Sequence, residues 1–335
     1  MPILNLLSIF QRFGMWLRSR RRKVKFGLYV VSFGGITLGG VGKTPAVLSR
    51  AELELKNGKK VCVVSRGYKG KKFLGTVLGR NLGGKIMLEF YRRGKEKIKE
   101  KLVSIPEACR IIGDELTLVL FKLPSVTVLK DSNRVRALSF AEELGFDIAI
   151  LDDGFQYLMV EKDEDVVLIN ALNPWGNKRI FPAGILREPL TSLGRATEIY
   201  ITHADYIRKD DLVKLIDELK SYCGIHKRIR LIRYLPVEWI KWDTKEKLGI
   251  DSFRNMEVDL YCALGSPDVF FKTLGALGIR VRNKFVYRDH CLFPREVILG
   301  DVPLLTTEKN VLSLELDYPK VYALSVKFVD YTLDS

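Results

Sequence analysis

The chain has 335 residues, 47% of them hydrophobic and 28% charged, with a formal net charge of +15. This composition excludes a disordered chain and a multi-span membrane protein, and the length suffices for one large or two ordinary domains with a substantial core. The charge is concentrated: residues 1–26 carry Arg12, Arg18, Arg20, Arg21, Arg22, Lys23 and Lys25 and no acid, which is +7 of the total.

Within that arm, Leu4, Leu6, Leu7, Ile9, Phe10, Phe13, Trp16 and Leu17 accompany the basic residues. Basic charge alone would suit nucleic acid or an anionic membrane, but large aromatics among Arg suit a helix lying in the headgroup region. The segment is too short and interrupted to span a bilayer, and no small-residue cleavage site follows an apolar core, so a secretory signal fits poorly. The expectation is an amphipathic helix over 1–26 touching an anionic membrane surface, with no nucleic-acid partner. A helix packed on its own domain is the competing reading.

Next, the apolar run Tyr29-Val30-Val31-Ser32-Phe33 reads as a buried strand, followed by Gly39-Gly40-Val41-Gly42-Lys43-Thr44-Pro45 and a helix-like stretch from 46 to 53. Strand, glycine loop and helix start form the arrangement that cradles a nucleoside triphosphate. Glycines let backbone N–H groups point inward, and the helix N-terminus adds partial positive charge. Lys43 is placed to reach the β- and γ-phosphates, and the Thr44 hydroxyl to bind Mg²⁺. The spelling is unusual, because Thr37 stands where G-x-x-x-x-G-K-T has glycine.

Further along, 60–65 is a short buried-type strand, and 71–103, rich in Gly and Lys, reads as a hairpin or exposed loop. A helical stretch runs from Pro106 through Phe121, then come a strand at 126–129, a helix at 132–144 and a strand at 147–151. A strand at 165–169 precedes a long Pro/Gly-rich stretch, 173–189, of the kind that is usually functional inside a compact domain. Strands at 198–202 and 228–234 flank a helix at 209–222. A second unit follows, with strands at 257–263 and 280–287 around a helix at 268–277. Alternating helices and continuous apolar strands predict an α/β fold of the P-loop NTPase type: a mostly parallel sheet flanked by helices, with a second, smaller α/β domain. The boundaries expected are 27–235 for the phosphate-loop domain and 236–335 for the smaller one, which contributes to the cleft, with 236–256 as linker. The five cysteines form no C-x-x-C pair, and no zinc-site spacing is present.

Several polar groups stand out. Asp152 and Asp153 end an apolar strand, where a carboxylate can hold Mg²⁺ opposite a threonine ligand; an ordinary Asp-Asp-Gly turn is the plain alternative. Asp114 and Glu115 interrupt an apolar helix, which costs desolvation unless they are paired or form a solvent-facing stripe. Asp289-His290 is a candidate proton-handling pair or a surface histidine. Arg187 and Glu188, with Lys178 and Arg179, lie in the long loop, where Arg suits bidentate phosphate contact. Thr307-Glu308-Lys309 looks like the end of another strand.

Together these pieces resemble one family. The loop Gly35 to Pro45 is similar to the unusual phosphate loop of the tetraacyldisaccharide 4′-kinases, which act in lipid A biosynthesis. Val64-Ser65-Arg66-Gly67-Tyr68, Gly113-Asp114-Glu115 and Leu151-Asp152-Asp153-Gly154-Phe155-Gln156 match in order, as do Pro182-Ala183-Gly184-Ile185-Leu186-Arg187-Glu188-Pro189, Asp289-His290 and Thr307-Glu308-Lys309. The chain departs from the family at Gly35 (usually Asn), Tyr157 (His or Arg), Cys291 (a second His) and Asn310 (Asp). The resemblance implies transfer of the ATP γ-phosphoryl group to the 4′-hydroxyl of an acylated glucosamine disaccharide 1-phosphate. It implies nucleotide contacts from Gly39, Gly40, Val41, Gly42, Lys43, Thr44, Pro45 and Tyr68, and Mg²⁺ held through Thr44, Asp152 and Asp153. Asp114 working with His290 would accept the hydroxyl proton, with Lys43, Arg187 and Glu188 at the transfer centre. A monomer bound peripherally to the cytoplasmic face of the inner membrane is expected. The rival is a membrane- or DNA-associated partitioning ATPase, but Leu38 stands where those proteins carry a signature lysine.

Overall fold

The computed structural model describes residues 22–93, 95–291, 293–294, 300–315 and 318–332. The basic arm expected over 1–26 therefore lies outside the described residues except for its last five. These are extended, not helical, and Val24 forms a parallel bridge with Val160.

Tyr29–Gly34 (β1) is buried along five of its six residues, as a central strand covered on both faces must be. It lies between Ile148–Asp152 (β7) and Glu164–Asn170 (β8), parallel to both. Val61–Ser65 (β2) and Thr127–Lys130 (β6) extend the parallel array beyond β7, and Glu198–Thr202 (β9) and Arg228–Lys241 (β10) extend it beyond β8. The helices Lys43–Lys56 (α1), Ile105–Ile112 (α2), Asp114–Lys122 (α3), Arg134–Glu143 (α4) and Lys209–Cys223 (α5) belong to this part. Its apolar core includes Val31, Phe33, Val63, Ile150 and Leu168.

Residues 71–103, expected as a hairpin or loop, form three antiparallel strands, Thr76–Leu82 (β3), Lys85–Arg92 (β4) and Glu96–Val103 (β5), added to the β6 edge. The exposed Lys and Glu of β5 blunt that sheet edge against pairing with another chain. The helix expected from 106 to 121 is two helices. Gly113 breaks it at φ +92°, where a Cβ would stand 2.9 Å from the Tyr68 carbonyl. Asp114 and Glu115 thus open α3, where the helix N-terminus favours negative charge, instead of interrupting an apolar helix.

The segment 236–256, expected as a linker, is not one. Most of it is the second half of β10, Lys247–Gly249 (β11) and a short 3₁₀ turn. Its tryptophans explain why: Trp239 is fully buried against Phe253 at 5.3 Å, and Trp242 is buried too. Residues 228–232 of β10 pair with β9, and residues 232–241 pair antiparallel with Val321–Asp330 (β15), a strand the sequence reading did not anticipate. The register shifts between Pro236 and Glu238, where proline lacks an N–H for the ladder. Beyond β15 lie Leu304–Thr307 (β14), Glu257–Cys262 (β12) and Arg280–Val286 (β13), all parallel, with Pro267–Ala276 (α6) and the short Glu308–Val311 (α7). One continuous sheet therefore joins two parallel arrays through the antiparallel β10–β15 pair.

The phosphate loop leaves β1 under tight steric control. A Cβ on Gly34 would lie 2.4 Å from the Cβ of Phe155, which follows the Asp152-Asp153-Gly154 turn. Gly34→Ala should therefore lose roughly 1–3 kcal/mol through overpacking, seen as a melting temperature several degrees below wild type. An unchanged melting temperature would show that this approach is not constrained.

Candidate active site

β1, β7 and β9 end on one side of the sheet, where open α/β folds place their ligands, and the turn that follows the oppositely running β12 meets the phosphate loop there. A cavity of about 1030 Å³ opens there, lined by Gly39, Gly40, Val41, Gly42, Lys43, Thr44 and Pro45 and by residues from both parallel arrays. Gly42, with φ +81°, is the residue before α1. Its carbonyl accepts a hydrogen bond from the Tyr234 hydroxyl at 3.0 Å, and a Cβ there would lie 1.7 Å from that oxygen. Val41 is buried, and its carbonyl accepts from the Thr202 hydroxyl at 3.2 Å. The loop is thus pinned from β9 and β10 and lines the cavity.

The long Pro/Gly-rich loop braces the other side. Leu38 N–H donates to Ile185 O at 2.7 Å and Arg187 N–H to Ile36 O at 2.6 Å. This brings the Arg187 guanidinium to Asp153, with Nη1 at 2.7 and 2.8 Å from the two carboxylate oxygens. Lys43 Nζ lies 3.2 Å from the same carboxylate. Burial would raise the Asp153 pKa, but Lys43 and Arg187 outweigh it and hold it at about 2. Asp152 behaves oppositely: burial first, then the Glu115 charge, push it well above the ordinary value, with Lys43 opposing. One Asp152 oxygen, Oδ1, is buried without a hydrogen-bond partner.

A second cluster faces the phosphate loop. His290 Nδ1 lies 2.8 and 2.7 Å from the two Asp114 oxygens, and Nε2 lies 3.5 Å from Asp289 Oδ2. Burial opposes ionisation of Asp114, yet His290 and Lys309 bring its pKa below the usual carboxylate value. Tyr68, half exposed on the cavity wall, has its ring 5.1 Å from the His290 ring.

Of the residues singled out from sequence, the cavity thus gathers the loop residues 39–45, Tyr68, Asp153, Arg187 and His290, with Asp114 bonded to His290 just behind the wall. Glu188 is not brought in. Its side chain is buried away from the cavity and accepts from Arg195 Nη2 at 2.8 Å. Three groups received no role from sequence. Glu115 faces Asp152, Lys309 lies among the carboxylates, and Gly265-Ser266 covers the phosphate loop, with Ser266 Oγ donating to Gly40 O at 3.2 Å. A strand ending in small residues before a helix-opening proline was the available signal for the last. The Asn310 departure also has a visible purpose: its amide accepts from Ala263 N at 3.1 Å and donates to Ala263 O at 3.0 Å, fixing the chain just before Gly265.

A phosphate loop with a strand-end carboxylate and an Asp–His contact beside one cavity fits a P-loop phosphotransferase. The sequence profile of the LpxK family, described as tetraacyldisaccharide-1-phosphate 4′-kinase, matches residues 1–80 and 91–331. The tetraacyldisaccharide 4′-kinase of Anaeromyxobacter sp. (strain K) is 32% identical over 305 residues, covering 87% of this chain and 74% of that protein. The corresponding protein of Desulfatibacillum aliphaticivorans is 30% identical over 330 residues, 93% and 83% of the two chains. A crystal structure of LpxK from Aquifex aeolicus in complex with ATP is similar at a TM-score of 0.70 and 27% identity, covering 99% of this chain and 94% of that one. The chain belongs to the tetraacyldisaccharide 4′-kinase family.

The Asp153 ion pairs also set a pH dependence. A carboxyl whose folded pKa is depressed adds stability above its unfolded value, near 4, and that stability is lost as pH falls towards about 2. Thermal melts between pH 5 and pH 2.5 should therefore fall less steeply for Asp153→Asn than for wild type. Parallel curves would mean that Lys43 and Arg187 do not hold this carboxylate.

Proposed function

We propose that the protein transfers the γ-phosphoryl group of ATP to the 4′-hydroxyl of a tetraacylated glucosamine disaccharide 1-phosphate, a step of lipid A biosynthesis. The observation that carries this reading is the Asp114–His290 contact at 2.7 Å beside a phosphate loop, in a chain of this kinase family. Glycine-loop N–H groups and the α1 N-terminus bind the triphosphate, with Pro45 in the first turn of α1 and Tyr68 on the facing wall. Lys43 turns from Asp153 to the β- and γ-phosphates. Arg187, whose Nη1 already holds both oxygens of a carboxylate, suits the charge of a transferring phosphoryl group. The Asp114–His290 pair takes the proton from the acceptor hydroxyl. Glu188 acts by holding Arg195 next to this loop, not at the reacting atoms.

Mg²⁺ fits the residues present. Thr44, Asp152 and Asp153 are hard oxygen donors, and the unpartnered buried Asp152 Oδ1 is the kind of atom a divalent cation satisfies. Among the described residues no cluster of three or more His, Cys, Asp or Glu side chains is arranged to hold a metal by itself. That suits an ion completing its shell with phosphate oxygens. When bound, Mg²⁺ would neutralise charge on the transferring phosphate.

The division into units 27–235 and 236–335 is part of the same proposal: the first binds nucleotide and the second supplies His290. So are the monomeric state and a peripheral position on the cytoplasmic face of the inner membrane. Among the described residues no helix is long and apolar enough to cross a membrane. Seven basic residues and the aromatics of 1–26 support contact with an anionic leaflet holding the acceptor.

Purified protein with Mg-ATP should phosphorylate a lipid A disaccharide precursor at the 4′ position; no incorporation of labelled phosphate would refute the assignment. Asp114→Asn should lower kcat by roughly 10²–10⁴ and leave the KM for ATP nearly unchanged, because the phosphates are held elsewhere. A rise in KM alone would make Asp114 a binding group. Deleting residues 2–22 should weaken co-sedimentation with anionic vesicles and raise the apparent KM for lipid but not for ATP. Equal binding by both forms would remove the membrane role of the arm.

A further inference from the structure

Lys309 has no part in the scheme so far, yet its surroundings are unusual. It sits in α7, whose first turn is capped by the Thr307 hydroxyl accepting from Asn310 N–H, and Asn310 is in turn locked to Ala263. Its backbone is therefore fixed from two directions. The side chain is 16% exposed, and Nζ lies 3.5 Å from Asp114 Oδ2, 3.4 Å from Asp289 Oδ1 and 4.0 Å from Glu115 Oε1. Asp114 and Glu115 open α3 in one array; Asp289 follows β13 in the other. The neighbouring Glu308 reaches α3 as well, accepting from Lys122 Nζ at 2.6 Å, so α7 grips both ends of that helix.

The charges in this space need a cation at that point. Asp114 and Asp289 flank His290 on its two ring nitrogens, and Glu115 adds a third carboxylate. Lys69 reaches only the Asp289 carbonyl, at 2.9 Å. Burial alone would lower the Lys309 pKa, but Asp114, Glu115 and Asp289 more than offset it and raise it. The group stays an ammonium among three carboxylates. Without it, Asp114 and Asp289 would repel across the imidazole, and the ring would lose its fixed seat.

We propose that Lys309 is a positioning residue for phosphoryl transfer, drawing Asp114 and Asp289 together around His290 so that the ring meets Asp114 in its working orientation. This rests on the reading of Asp114–His290 as the proton-accepting pair. Its effect is on the geometry of the chemical step, where a misplacement of about 1 Å costs up to about 100-fold. A direct phosphate-binding role is the other use of a lysine on this wall, and kinetics separates the two.

The test is steady-state kinetics of Lys309→Met and Lys309→Arg, alone and in an Asp114→Asn background, with melting temperatures recorded for each. A positioning role predicts kcat lowered about 10- to 100-fold in Lys309→Met, a KM for ATP within about twofold of wild type, and partial recovery of kcat in Lys309→Arg. It also predicts that either Lys309 change costs little once Asp114 is Asn. A raised KM for ATP with kcat preserved would make Lys309 a phosphate ligand and overturn the proposal, as would losses that multiply with Asp114→Asn. If Lys309→Met does not fold, Lys309→Arg decides by itself: its kcat deficit must disappear in the Asp114→Asn background. A normal kcat in Asp114→Asn alone would instead refute the proton-acceptor reading on which the proposal stands.

Discussion

Asp114 and His290 are 176 residues apart in sequence and meet at hydrogen-bond distance. Most of the architecture is needed for that contact. Asp114 is placed by the glycine break that starts α3, and His290 by a turn beyond β13 in which its backbone adopts φ +63°. A non-glycine residue in that region costs roughly 1–2 kcal/mol, which the surrounding ion pairs must offset. The two elements lie in different parallel arrays, so the arrays must be rigidly related. The long strand β10 does this by pairing with β9 over 228–232 and with β15 over 232–241. A broken β10–β15 ladder would separate His290 from Asp114 and the phosphate loop.

Charge in the cavity alternates in a way that suits a polyanionic ligand. Asp153 sits between Lys43 and Arg187, and Asp114 between His290 and Lys309. Asp152 differs, since it faces Glu115 and keeps an unpartnered oxygen. Burial and the neighbouring Glu115 charge disfavour the charged form of Asp152, a cost that a divalent cation relieves. The same residues that make the site costly to hold empty of charge compensation make it receptive to a metal–nucleotide complex.

How much of this was legible beforehand depended on whether the signal was local. The phosphate loop and the Asp-Asp-Gly turn are local: glycines, a lysine and a strand-end carboxylate act within a few residues of one another. Arg187 was legible from its Pro/Gly-rich frame, but nothing local shows that its neighbour Glu188 is buried against Arg195 and off the cavity wall. The segment 236–256 looked like a linker because its charges and proline mask the end of a strand whose Trp239 is fully buried. Strand β15 escaped for a related reason: burial in its second half is only partial. Lys309 could be named but not understood, since its three carboxylate partners lie distant in sequence and no spacing rule connects them.

The central claim is that Asp114 and His290 work as one unit across the two arrays. A double-mutant cycle on kcat, with Asp114→Asn, His290→Ala and the pair measured under saturating Mg-ATP and lipid acceptor, tests it most directly. A shared role predicts that the double variant is impaired little more than the worse single one, because removing either residue already disables the unit. Losses that multiply in full would show two independent roles and contradict the account.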